Sequence, residues 1–487
     1  MSIFEKAREL AVIHSVSSIV GWDQEVHLPP AATEYRASQL SWLAAQGHEM
    51  ATSDEWKADL EAAEAADDGK DPVRTANLKE IRRQFDLATK LPVEFVSRWS
   101  KAASLAKPAW AAARKKSDFS MFAPHLETLL GLAREKAELW GYEDEPYDAL
   151  LGAYERNAKT REVAALFDGM RPELAEIAAA AVAKSKEDAP RLPAGPYPVE
   201  AQQKFNRMVA AAVGFEFDAG RIDTSTHPFC TTLGPRDVRL TTRYDEADFT
   251  SSLFGVLHEA GHGMYELGLP ESDFGLPSGS SVSLGIHESQ SRLWENHIGR
   301  SREFWEHWYP AAREAFPALE NVALDDYLRH VLRADFSPIR VEADEATYDL
   351  HILLRFEIER RMLRGEIAVA DVPGAWNDLF EASFGFRPED DAHGCLQDIH
   401  WAMGGLGYFA TYTLGNINAA QLAAAARKDE AIDAAIRRAE YAPLLGWLRE
   451  NVHSHGGTLD PADLMERATG RKPDTADYLA HLRSRYL

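Results

Sequence analysis

Cysteine is nearly missing from this sequence: Cys230 and Cys395 are the only two in 487 residues. Two thiols cannot found a disulfide framework, so the chain suits a reducing compartment, with both sulfurs expected to be buried and inert. Long apolar runs are missing as well. No stretch approaches the roughly 20 residues of a membrane-spanning helix, and no membrane partner is expected. A basic excess is also lacking. The formal net charge of -24 repels a phosphate backbone, and no segregated basic face offsets it, which argues against nucleic acid as a partner. At the N-terminus, Glu5, Lys6, Arg8 and Glu9 precede any apolar stretch and no small-residue cleavage site follows, so the expected location is the cytoplasm.

What is present is amphipathic helix. Ala, Leu, Glu and Arg dominate, and apolar residues recur at spacings of three and four over 37–50, 76–89, 122–140, 161–184, 199–213, 345–363 and 418–427. The expected fold class is mainly α. Two breaks stand out: the acidic, Ala-rich stretch 59–73, and 188–198 with Pro190, Pro193, Pro196 and Pro198 around Gly195. Both read as connections between helices rather than domain linkers. The expectation is one continuous body over residues 1–487, with two lobes allowed. One segment departs from the helical period. From 236 to 244, Val238, Leu240, Thr242 and Tyr244 alternate with Arg239, Thr241 and Arg243, the period of a half-buried strand.

Just after that strand, residues 258–262 read His-Glu-Ala-Gly-His. Residues four apart stack on one face of a helix, so His258 and His262 can aim ring nitrogens at one ion. Glu259, about 100° round the axis, then lies beside it as a base. Asp248 or Thr250 can cap the helix, and Gly268 and Pro270 mark its end. A catalytic zinc takes three protein ligands and an open position. Glu288, 26 positions after His262 on a second helix capped by Ser283, supplies the third ligand. Glu295, two turns further along nearly the same face, is its rival, and an ion pair of Glu288 with Arg292 is the alternative to a ligand role.

His258–His262 followed by His287, Glu288, Ser289 and Gln290 resembles the carboxypeptidase Taq family. Further motifs of that family lie in order at His227, Pro228 and Phe229; at Asp237, Arg239 and Thr241; at Ile339, Arg340, Ala343 and Asp344; and at Gly394, Gln397, Asp398, His400 and Trp401. Likeness extends to Gly21–Gln24, Gly407–Tyr412 and the stretch from Trp447 to Tyr486. Ala410, Cys230 and Leu267 depart from common family residues, but none of these is a ligand or the base. The resemblance implies a large helical peptidase fold with a deep active-site cleft, a homodimer, and broad-specificity release of C-terminal amino acids from peptides. It also implies zinc, with Co2+ used by some relatives; Mn2+ stays open on affinity grounds.

Within that frame Glu259 is the expected base and Tyr412, ahead of Tyr408, a donor to the developing oxyanion. Arg340, whose planar fork matches a carboxylate, is the first candidate for the substrate's free C-terminus. Its alternative is an internal ion pair with Glu342 or Asp344. Arg239 and Arg243 are further candidates. His227 and His400 either line the cleft or serve as core histidines. Asp237 is a candidate support for a ligand imidazole, the 236–244 strand a candidate for pairing with the substrate backbone, and His453 and His455 are expected at a surface or interface. Two other classes compete with the carboxypeptidase: a zinc endopeptidase or dipeptidase with the same chemistry, and a non-catalytic helical scaffold.

Overall fold

The protein is seen here as a computed structural model that describes residues 1–188, 192–193 and 195–487. It is mainly α with one small sheet. Most expected helices form close to their anticipated bounds, as Thr33–Ala51, Pro72–Thr89, Ala123–Trp140, Thr160–Asp188, Val199–Val213 and Tyr348–Arg364. The helix expected over 418–427 begins earlier, running Ala410–Ala426. The connection expected over 59–73 is shorter. Residues up to Ala65 continue the helix Asp54–Ala65, because the run of Leu, Glu and Ala is strongly helix-forming and buries Trp56 and Leu60. In the 188–198 connection, Pro190 lies outside the described residues. The remaining prolines fall between the helices that end at Asp188 and begin at Val199.

The chain divides into two compact units, each gathered from three separate stretches. The first comprises Met1–Ala88, Pro190–Val331 and Asn418–Pro473; the second comprises Thr89–Ala189, Leu332–Ile417 and Asp474–Leu487. An aromatic cluster organises part of the first unit's core, with Phe249 packed on Phe316 at 4.3 Å between ring centroids and Tyr327 stacked beyond. In the second, Phe356 meets the edges of Tyr147 and Phe167 at 5.2 and 5.0 Å.

The sheet belongs to the first unit. Its strands β1 (Gly220–Thr224), β2 (Cys230–Gly234) and β3 (Asp237–Thr242) lie in the order β1-β3-β2. β3 pairs parallel to β1, with Ile222 opposite Leu240, and antiparallel to β2, with Thr231 opposite Arg239. The expected strand is therefore present and buries Val238 and Leu240 as its alternation predicts. Its role as a template for a substrate strand is overturned, because β3 is central and both its edges are already paired. Thr241, on the face expected to be polar, is also buried: its Oγ1 accepts from the Phe229 amide at 2.9 Å and ties the His227–Phe229 segment to β3.

Candidate metal centre

The helix Phe249–Gly268 starts where Asp248 Oδ1 accepts from the Thr250 amide at 2.8 Å, so Asp248 rather than Thr250 is the cap. Its buried side, including Leu253, Val256 and Leu257, fixes its rotation and leaves His258 and His262 half-buried on one face. Gly261 lets a second helix come close. A Cβ there would stand 2.5 Å from the Gln290 carbonyl oxygen and 2.6 Å from Ser291 Cα, so the absent side chain allows near backbone contact. That second helix, Leu284–Arg292, is capped by Ser283 Oγ accepting from the Ile286 amide at 3.1 Å. It continues into a π-helical stretch, Leu293–Ile298, whose wider turn alters where Glu295 points relative to Glu288.

The outcome is convergence. Glu288 Oε2 lies 3.8 Å from His258 Nε2 and 3.6 Å from His262 Nε2. Among the described residues, these three are the His, Cys, Asp or Glu set able to hold an ion, with one ligand atom each and all within 4.8 Å of one another. Metal–ligand bonds of roughly 2.0–2.2 Å put tetrahedral ligands roughly 3.3–3.6 Å apart, so the donor set fits a small divalent ion with little adjustment. The donor chemistry fits too, since two imidazoles and a carboxylate form an established catalytic zinc set.

The groups behind the ligands are also built. His258 Nδ1 donates to Glu295 Oε2 at 2.9 Å, so the rival acid holds the imidazole from the side away from Glu288. Arg292 bridges the two acids, donating from Nε to Glu288 Oε1 at 2.7 Å and from Nη1 to Glu295 Oε2 at 3.3 Å. The ion pair with Arg292 is present and leaves an oxygen over: Oε1 of Glu288 faces Arg292, while Oε2 faces the histidines. Burial raises the Glu295 carboxyl, but Arg292 and His258 together hold it down at about 2. For His258, burial works downward and Glu288 and Glu295 work upward, and the protein groups alone leave it pushed up to about 9. Glu259 is buried, and that burial, reinforced by Glu288 and Glu295 against His258, raises it to about 7. A carboxyl so poised can both take and return a proton near neutrality.

Removing the support behind His258 should be visible in metal binding. Glu295→Ala is expected to weaken metal affinity about 10- to 100-fold, read by chelator competition, since the imidazole loses the acceptor that fixes its tautomer and plane. An unchanged affinity would remove Glu295 from that role.

Other anticipated residues fall in several places. In the first unit, His227 is exposed between β1 and β2, so it is no core histidine. Asp237 does not support a ligand. It binds Arg239 at 2.9 and 3.0 Å, because residues two apart share one face of a strand. The Arg239 guanidinium also lies 4.2 Å over the Trp22 ring. His453, expected at a surface, is buried and meets Gln290 Oε1 at 3.0 Å; burial holds it down at about 3. His287, named above only within a motif, and Glu266, not anticipated at all, also lie against this centre. Their signal was present: His287 directly precedes Glu288, and Glu266 stands four after His262 on the same helix face.

The second unit gathers Arg340, His400, Tyr408 and Tyr412. His400 Nε2 lies 3.4 Å from the Tyr412 hydroxyl, and the Tyr408 and Tyr412 rings meet at 5.4 Å. Arg340 is buried and paired, but with neither Glu342 nor Asp344. Its Nε and Nη2 donate to Asp398 at 3.0 and 2.8 Å, and its Nη1 donates to Tyr348 at 2.9 Å. Arg355 binds the other oxygen of Asp398, at 2.7 Å from Nε. Among the described residues, no helix is long and apolar enough to cross a membrane.

Comparison with known proteins agrees over the whole length. A relative from Thermus thermophilus named thermostable carboxypeptidase 1 is 40% identical, covering 100% of this chain and 98% of its own. A relative of the same name from Pyrococcus furiosus is 39% identical at the same coverage. The crystal structure of an M32 carboxypeptidase from Deinococcus radiodurans superposes with a TM-score of 0.96 at 39% identity, covering 99% of this chain and 98% of that one. The family described as carboxypeptidase Taq (M32) metallopeptidase matches residues 2–486. With its full-length match and its two-histidine, one-carboxylate centre, the chain belongs to that family and is a metallocarboxypeptidase.

Proposed function

We propose that His258, His262 and Glu288 hold one zinc ion, and that Glu259 is the general base of peptide hydrolysis beside it. The observation that supports this most is the approach of both Nε2 atoms to one Glu288 oxygen at 3.6 and 3.8 Å. Zinc is preferred over cobalt or manganese on the ligand set, while affinity trends admit the others. A divalent ion held there supplies Lewis acidity toward water and the scissile carbonyl. Glu259 accepts the proton of the attacking water and delivers it to the departing amine, and its position near neutrality suits both transfers.

For the free terminus of the substrate, we propose the cluster around Arg340. Two guanidinium groups share the single carboxylate of Asp398, which leaves an excess positive charge to attract a C-terminal carboxylate. Three of the five Arg340 N–H donors already have partners, so Arg340 acts there chiefly by its field. His400, Tyr408 and Tyr412 are proposed as polar contacts to the substrate, with Tyr412 the preferred donor in catalysis; His227 and Arg239 are retained as substrate contacts on their family motifs alone. The side-chain preference is broad, the working form a homodimer, the location cytoplasmic, and the two units together make one catalytic domain.

Matched peptides with free and amidated C-termini test the exopeptidase reading. Mass spectrometry should show stepwise loss of single C-terminal residues from the free peptide and at least about a hundredfold slower release from the amide, as expected when a charged recognition element is removed. Equal rates, or internal cuts, would replace it with the endopeptidase reading.

A further inference from the structure

Behind His262 runs a second set of contacts. His262 Nδ1 and His287 Nδ1 are 2.6 Å apart, His287 Nε2 is 2.9 Å from Glu266 Oε1, and Thr232 Oγ1 donates to Glu266 Oε2 at 2.8 Å. With both imidazoles neutral, the direction of every hydrogen bond in this chain follows from one end. A carboxylate only accepts, so the His287 nitrogen facing Glu266 carries the hydrogen. A neutral imidazole has one N–H, so the Nδ1 of His287 is bare and must accept. The Nδ1 of His262 therefore carries the hydrogen, and its Nε2, which faces Glu288, is left with a free lone pair.

We propose that His287 is a positioning residue that sets the tautomer and ring plane of His262, relaying to it the carboxylate of Glu266. The inference rests on the reading of His262 as a metal ligand. His258 receives the same service from Glu295 directly; His262 receives it through an intervening imidazole. The geometry needs a side chain that accepts at one end and donates at the other. Alternative roles do not ask for this: a ring present only to fill space needs no polarity at either end.

Two measurements test it. The first is zinc affinity by competition with a chromogenic chelator, for the parent chain, His287→Ala and His287→Gln. Alanine should weaken zinc binding about 10- to 100-fold. Glutamine can accept through its amide oxygen and donate through its amide nitrogen, and should recover most of that loss. Equal affinity in the alanine variant, or no recovery with glutamine, overturns the proposal. The second uses the parent chain alone and does not depend on any variant folding. Nitrogen NMR of the 15N-histidine-labelled, zinc-loaded protein should show His287 with its hydrogen on Nε2 and His262 with its hydrogen on Nδ1. A hydrogen on His287 Nδ1 overturns it. A parent chain that takes up no zinc would instead sink the metal reading itself, and this inference with it.

Discussion

Glu259→Gln should lower kcat by about 10³- to 10⁴-fold while zinc content stays unchanged, because the amide keeps the volume but cannot accept a proton. Steady-state kinetics beside metal analysis reads both, and activity within about tenfold of the parent would remove Glu259 as the base. The pH dependence has a definite sign. The proposed base Glu259 would work as the carboxylate, so kcat/KM is expected to rise with pH through its titration and fall on the acid side. Protein groups alone raise that titration to about 7, and a dication nearby favours the carboxylate, so the limb lies at or below that value. Stability should move the other way. A carboxyl raised in the folded state contributes stability that is full below its ordinary value of 4.5 and is lost as pH rises through about 7. Metal-stripped Glu259→Gln protein is therefore expected to be more stable than the parent above that pH, by up to about 3 kcal/mol.

Asp398→Ala should destabilise the fold by on the order of 3–5 kcal/mol, without touching a metal ligand. Asp398 is the shared partner of Arg340 and Arg355, and the side-chain exposures of the three are 11%, 7% and 0%. Two buried guanidiniums held apart by one carboxylate become two unscreened like charges when it is removed. Denaturant unfolding of the metal-stripped variant reads the effect, and a midpoint equal to that of the parent would refute it. Burial raises the Asp398 carboxyl, but Arg355 and Arg340 drive it well below its ordinary value of 3.8. A depressed carboxyl contributes stability that is whole above 3.8 and lost only as pH falls through the lower folded value. The contribution therefore persists through mild acid, where that of an ordinary surface carboxylate has no such reach.

Short-range features were the most legible in the sequence. The histidine helix and the Ser283 cap depend on residues within a turn of each other and formed as read, and of the two cap candidates Asp248 and Thr250 the structure takes Asp248. The β3 alternation was visible, but β1 and β2 were not: each is five residues long with mixed burial, and only pairing makes them strands. Glu288 and Glu295 could not be separated by spacing, because seven residues on a regular helix return to one face; the π turn between them is a tertiary choice. Asp398 escaped as the partner of Arg340 for a related reason. It lies 58 residues away, whereas the acids visible beside Arg340 in its charged stretch are Glu342 and Asp344.

The interleaving of the two units bears on how the protein is made. Each is closed only by a late stretch of chain, Asn418–Pro473 for one and Asp474–Leu487 for the other. Domains with contiguous sequence can fold one after another as they leave the ribosome. Here the first 417 residues contain neither unit whole, so neither can close until the chain has passed that point. A stop codon before Asn418 would leave both units unclosed rather than spare one, and no single cut of the gene would yield either unit as an autonomous fragment.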